Sequence, residues 1–215
     1  MTFRPLDEPG RGMTVCLVTD RRRADPLAQA RRATHAGIDL VQIREGDLEA
    51  AVLASLVRAV LDVTRGSRTR VVVNDRLDVA IACGADGVHL RADSITPSEA
   101  RRLAPRPFVV GRSVHSADEA RQCGEADYVV AGTMFPTPSK PGGSSWLGEE
   151  GLRKIVQASP RPVLAIGGLS ADNVGAVARA HAAGVAAIGL FAVDASLDDV
   201  VQTLRSKFDT AKTAP

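Results

Sequence analysis

The chain predicts a single (β/α)8 barrel, and three observations carry that prediction. Short apolar runs alternate with amphipathic stretches from end to end, with no linker to divide them. Each run is apolar on both faces, as in a parallel sheet covered by helices. Eight such units fit in about 200 residues, the small end of the range for this barrel. An open doubly wound sheet is the alternative, because periodicity does not count closure. No Gly-x-Gly-x-x-Gly follows the first run, which weakens a dinucleotide-binding version.

Taken in order, the first strand is expected at Val15–Thr19, followed by a helix over 26–36 that Gly37 ends. The second strand is Leu40–Ile43, with a helix over 48–64 started by Asp47 and ended by Gly66. Val71–Asn74 and a helix over 77–83, ended by Gly84, form the third unit. The fourth is Gly87–Leu90 with a helix over 97–103, opened by Thr96-Pro97-Ser98-Glu99. The fifth pairs Phe108–Gly111 with 116–123, opened by Ser116-Ala117-Asp118-Glu119 and ended by Gly124. Tyr128–Ala131, a long loop and a helix over 149–158 make the sixth. Val163–Ile166 precedes a helix over 171–182, opened by Ser170-Ala171-Asp172-Asn173 and ended by Gly184. Val185–Ile188 and a helix over 196–208 complete the set. The opening residues are short oxygen-bearing side chains that accept from the free N–H groups of a first turn. The glycines reach the left-handed conformation in which helices commonly stop. The barrel domain is therefore drawn over 13–210, behind an irregular, polar, proline-bearing leader over 1–12.

Composition narrows the function. A chain of 215 residues, 45% hydrophobic and 24% charged, has the balance of a globular domain. No apolar run approaches the roughly 20 residues of a membrane span, and no signal-peptide core is present, so a cytoplasmic protein is expected. Cys16, Cys83 and Cys123 are isolated and odd in number, which suits small buried hydrophobes rather than a disulfide or metal site. A net charge of +2 and 3% aromatic residues argue against a nucleic-acid partner. Arg21-Arg22-Arg23 reads as solvated surface. The sequence leaves room for a homo-oligomer without specifying one.

Active sites of such barrels lie at the C-terminal strand ends. Those ends here are polar or glycine, a ring that packing does not explain. Gln42 and Arg44 end the second strand, and a guanidinium there can grip a phosphate bidentately. Asn74 and Asp75 end the third; the amide can donate to an anion, and the carboxylate can hold Mg2+ or cap the next helix. Asp93 is a second candidate carboxylate for the metal. His89 ends the fourth strand, and Ser113 and His115 follow the fifth. After the sixth comes Gly132 to Gly143, in which Lys140 supplies charge and Thr137 and Ser139 supply hydroxyl donors to a bound anion, with Thr133 at its start. Gly167-Gly168 and Gly189-Leu190 end the seventh and eighth strands, where glycine lets backbone N–H groups approach a phosphate. Two anion sites at neighbouring strand ends point to phosphorylated small molecules.

These motifs, in this order, resemble the thiamine phosphate synthase/TenI family from Cys16 to about Phe208. The resemblance rests on Leu17-Val18-Thr19-Asp20, Val41-Gln42-Ile43-Arg44-Glu45, Val73-Asn74-Asp75-Arg76, Ala85-Asp86-Gly87-Val88-His89-Leu90, Gly111-Arg112-Ser113-Val114-His115-Ser116, Ala126-Asp127-Tyr128, Gly132 through Lys140, and Ala165-Ile166-Gly167-Gly168. It implies a synthase that joins a hydroxymethylpyrimidine diphosphate to a thiazole phosphate. Arg44, Asn74, Ser113, Thr137, Ser139 and Lys140 would hold the diphosphate or its surroundings, Asp75 would bind Mg2+, and the Gly168 and Gly189 loops would hold the thiazole phosphate. Three positions depart from the family pattern. Gly46 stands where synthases usually carry Lys, and Ser94 where they carry a second metal carboxylate, with Asp93 one residue earlier. Thr133 stands where the tautomerase branch carries its catalytic histidine. A TenI-type thiazole tautomerase and a non-catalytic binder of thiazole or thiamine phosphates are the alternative readings.

Overall fold

The structure is a computed structural model that describes residues 12–104, 107–137, 146–192 and 196–213. Apart from Gly12, the expected leader lies outside the described residues, as do Ser139 and Lys140. Eight parallel strands, β1 (Thr14–Val18), β2 (Leu40–Ile43), β3 (Arg70–Asn74), β4 (Gly87–Leu90), β5 (Val109–Val114), β6 (Tyr128–Gly132), β7 (Val163–Ile166) and β8 (Gly184–Ala187), close into a barrel in sequence order. β8 returns to pair with β1, Val15 opposite Val185, which removes both sheet edges. The helices are α1 (Pro26–His35), α2 (Ala50–Thr64), α3 (Leu77–Cys83), α4 (Pro97–Leu103), α5 (Ala117–Arg121), α6 (Gly148–Ala158), α7 (Val174–Arg179) and α8 (Leu197–Thr213). A (β/α)8 barrel is thus the fold. No helix among the described residues is long and apolar enough to cross a membrane.

The two-residue period of each strand sorts its side chains into two cores. Cys16, Val18, Leu40, Val72, Tyr128, Val130 and Leu164 fill the barrel interior. Their neighbours, such as Val15, Val41, Val73 and Val129, face the helices and join the larger outer core. Both faces are buried, hence the uniformly apolar runs. The same parity carries Gln42, Asn74, His89 and Ser113 inward, one layer above the apolar plug.

Three acids seal the opposite, N-terminal rim. Asp39, Asp86 and Asp127 precede β2, β4 and β6 and accept from the backbone N–H groups of Val15, Val71 and Val110 at 2.9, 2.8 and 2.7 Å. Their role is in the sheet, which leaves the C-terminal mouth for chemistry.

Several boundaries differ from the sequence expectation for local reasons. β5 continues to Val114, because pairing with β6 persists to Val114 opposite Ala131. Asp47 is drawn away from capping by Arg21 at 2.7 Å and Arg22 at 3.3 Å, and α2 begins after Glu49 without a side-chain cap. α7 is confined to Val174–Arg179, and Asn173 caps nothing: its amide donates to the Gly168 carbonyl at 2.8 Å while its oxygen accepts from Ser170 N–H at 2.8 Å. Gly184 opens β8 rather than ending a helix; a Cβ there would run into the Thr14 carbonyl. α8 reaches Thr213, since no Gly or Pro interrupts 209–213. Elsewhere the start signals hold: Thr96 and Glu99 form a reciprocal capping box, and Ser116 accepts from Glu119 N–H at 3.2 Å. The three cysteines are free thiols. Cys16, buried inside the barrel, has its pKa raised to about 12, by loss of solvation and then by nearby Asp39.

Candidate active site

The mouth is built on a buried hydrogen-bond frame. Thr19, closing β1, donates its hydroxyl to Glu45 at 2.7 Å and accepts from Arg44 N–H at 3.0 Å. Glu45, 4% exposed, also accepts from Arg21 N–H at 3.1 and 3.2 Å. Arg21 is therefore part of this frame and not merely solvated surface. Glu45 is fully engaged by these partners and does not pair with Arg44. The Arg44 side chain is exposed at the end of β2 and makes no hydrogen bond or ion pair among the described residues. Beside it, Gln42 donates to the Asn74 carbonyl oxygen at 2.8 Å, which turns the Asn74 amide nitrogen away as a remaining donor.

Asp75 adopts a left-handed conformation, φ 59°, and donates its N–H to the His89 carbonyl at 2.9 Å. It does not cap α3; Arg76 occupies that position, without a side-chain cap bond. Its carboxylate accepts from Arg91 N–H at 3.4 Å and pairs with Arg91 Nε at 3.2 Å. The same guanidinium pairs with Asp93 at 3.1 Å. The two carboxylates proposed as metal ligands thus converge on one cation. Arg112 fixes the connecting loop by donating to the carbonyls of Ala92 at 2.7 Å and Ile95 at 2.6 Å. Sequence reasoning gave no role to Arg112 and did not foresee that Arg91 would span both acids, because the Asp75–Arg91 and Arg112 contacts each join residues from different elements.

His89 is 2% exposed, between Tyr128 Oη at 3.2 Å and Ser113 Oγ at 2.9 Å. Burial lowers its pKa from 6.5 to about 4; Asp75 opposes this and Arg112 adds to it. The ring is neutral at physiological pH. His115 lies outside this layer, exposed, with Nδ1 at 2.8 Å from the Gly132 carbonyl. That acceptor makes Nδ1 the donor, which leaves Nε2 as the lone-pair nitrogen of the neutral tautomer, beside the end of β6.

Phe135 donates its N–H to the Gly167 carbonyl and Met134 to that of Ile166, at 3.0 and 2.9 Å, which lays the start of the long loop along the end of β7. Contact is close: a Cβ on Gly167 would strike Thr133, and one on Gly168 would stand 2.5 Å from the Pro136 oxygen. Thr137 is half-buried at the loop's described end. Gly189 opens a single 3-10 turn, Gly189–Phe191, with Leu190 half-buried within it. Arg23, paired with Asp20 at 3.3 Å, brings its guanidinium to within 3.4 Å of where a Gly189 Cβ would be. Only the return of β8 to β1 places this arginine at the eighth strand end.

The fold and this mouth define a class: a (β/α)8 barrel with cations, amide and hydroxyl donors, and glycine turns gathered at the C-terminal strand ends, as suits phosphorylated ligands. The thiamine monophosphate synthase family profile matches residues 15–191, and the chain belongs to that family. It is 42% identical over 185 residues to the thiamine-phosphate synthase of Methanoregula boonei, covering 85% of this chain and 86% of that one. The thiamine-phosphate synthase of Roseiflexus castenholzii is 39% identical over 190 residues, covering 86% and 83%. Among solved structures, the thiamine phosphate pyrophosphorylase from Pyrococcus furiosus superimposes with a TM-score of 0.82 at 31% identity, over 93% of this chain and 96% of that one.

Proposed function

We propose that the chain is a thiamine-phosphate synthase, a cytoplasmic transferase that couples a hydroxymethylpyrimidine diphosphate to a thiazole phosphate and releases diphosphate. The observation that carries the reading is the spatial separation, at one mouth, of two groups of donors suited to anions. Arg44, the Asn74 amide and Ser113 stand at β2, β3 and β5; the glycine turns stand at β7 and β8. In the reaction the bond between the pyrimidine methylene carbon and the diphosphate oxygen breaks, and both electrons leave with diphosphate. The thiazole nitrogen lone pair then forms the new C–N bond. Such a step needs charge stabilisation on the leaving group more than it needs a base. Arg44 and the donors of Asn74 and Ser113 supply it, and Lys140, Thr137 and Ser139 are proposed to close on the same anion. The β7 and β8 turns orient the thiazole phosphate, so that the nitrogen is held close to the carbon it attacks.

The donor set suits Mg2+ shared with the diphosphate. Asp75 and Asp93 supply hard carboxylate oxygens that already converge on a cation, Arg91. No cluster of three or more metal-ligating side chains exists among the described residues, so substrate oxygens would complete the coordination. When bound there, Mg2+ neutralises charge developing on the diphosphate.

One observation favours a second reading, a TenI-type tautomerase: Nε2 of His115 is available as a base at the strand end next to Thr133. A single experiment separates the two. The purified protein is incubated with both synthase substrates and Mg2+, and in parallel with the thiazole phosphate carboxylate alone. Thiamine phosphate and diphosphate formed in equal amounts support the synthase; thiazole isomerisation without coupling would replace it with the tautomerase.

A further inference from the structure

A polar chain runs through the barrel interior from core to mouth: Tyr128, His89, Ser113. Tyr128 is fully buried, and its hydroxyl meets His89 Nδ1 at 3.2 Å; Nε2 of the same ring meets Ser113 Oγ at 2.9 Å. Gly111 clears the space, because a Cβ there would stand 2.5 Å from Tyr128 Oη and 2.6 Å from His89 Nδ1. Tyr128 lies in the apolar layer among Val, Leu and Ala side chains, with His89 and Ser113 in the layer above, and an unsatisfied polar group at that depth is costly.

Geometry fixes the protons: each ring nitrogen of His89 faces one hydroxyl, Nδ1 that of Tyr128 and Nε2 that of Ser113. The Tyr128 phenol is protonated, its own pKa raised by burial, and among the described residues its only hydrogen-bond partner is His89. Were Nδ1 the protonated nitrogen, two donors would face each other and the phenol proton would be buried without an acceptor. Nδ1 therefore accepts from Tyr128, and Nε2–H donates to Ser113 Oγ. With its oxygen engaged by the ring, Ser113 has its own proton left to donate, and it points away from His89.

We infer that Tyr128 is a positioning residue: acting through His89, it sets the Ser113 hydroxyl as a hydrogen-bond donor to an anion in the mouth. The anion is the diphosphate of the function proposed above, and the inference rests on that reading.

The test begins with the wild-type protein labelled with 15N-histidine. Long-range 1H–15N spectra near neutral pH should show His89 as the neutral Nε2–H tautomer; the Nδ1–H tautomer would overturn the inference. Affinity for inorganic diphosphate with Mg2+, and separately for thiazole phosphate, is then measured by calorimetry. Tyr128→Phe should mix the His89 tautomers and weaken diphosphate binding about threefold to tenfold, the scale of one net hydrogen bond. Thiazole phosphate binding should not change. Ser113→Ala should weaken diphosphate by a similar factor, and the double variant no further, because both act on one contact. Parallel loss of both ligands, or additive losses in the double variant, would overturn the inference. Should Tyr128→Phe not fold, the wild-type tautomer and Ser113→Ala decide, and an unchanged diphosphate affinity for Ser113→Ala overturns it. If the wild-type protein binds no diphosphate while His89 shows the expected tautomer, the synthase reading fails and the anion role of Ser113 fails with it.

Discussion

His89 shows most directly how one residue ties stability to function. Its folded pKa of about 4 lies below the 6.5 of an exposed histidine. Between those values the unfolded chain binds a proton that the folded chain does not, so stability falls as pH drops through the window. The full difference is about 3 kcal/mol, present above pH 6.5 and lost by about pH 4. Urea unfolding at several pH values across this window should show that slope, and His89→Gln, which keeps a donor for Ser113, should flatten it. A second residue-scale prediction concerns the acids on Arg91. Asp75 is the more enclosed, with side-chain exposure of 24% against 76% for Asp93. Asp75→Asn should therefore reduce Mg2+-dependent turnover at least about tenfold more than Asp93→Asn, measured as kcat/KM in a magnesium titration. Equal effects would place the metal elsewhere.

At the scale of elements, the turns after β7 and β8 differ in how they use glycine. Gly168 is hemmed in by the backbone of 135–136, so Gly168→Val must move the long loop as well as block a phosphate, and lost binding would not isolate one cause. Among the described residues, Gly189 is open but for the Arg23 guanidinium, its Nη1 at 3.4 Å. Gly189→Ala should leave the circular dichroism unchanged and raise the KM for thiazole phosphate by roughly threefold to tenfold. The KM for the pyrimidine diphosphate should stay where it is. In β1, the Thr14 hydroxyl is buried with no partner among the described residues. Thr14→Val keeps the shape and removes the unsatisfied group, so it should raise stability by about 1 kcal/mol in denaturant titration.

At the scale of the whole molecule, closure depends on β8 lying tightly against β1. A Cβ at Gly184 would collide with the Thr14 carbonyl opposite it, where that pairing begins. Gly184→Ala should cost about 1–3 kcal/mol and lower the melting temperature, since neither backbone can retreat without opening the barrel. The barrel itself was legible in the chain, because buried parallel strands must be apolar on both faces and helices announce their ends with hydroxyls, acids and glycines. Gln42, Arg44, Asn74, Asp75 and Ser113 were legible as a ring for a related reason: polar residues at the ends of apolar strands have no packing role there. The chain alone did not show that Asp47 serves Arg21 and Arg22 instead of a helix, or that Asp75 and Asp93 share Arg91. Nor did it show that Arg23 reaches Gly189, or that Tyr128 stands beneath His89. The sequence by itself determined the elements, their order and the polar mouth, because these follow from periodicity and capping within a few neighbouring residues. Only the tertiary structure decided which charges pair between elements and which protons point into the site, because the contacts between elements join residues about 16 to 166 positions apart, and closure of the sheet alone brings them together.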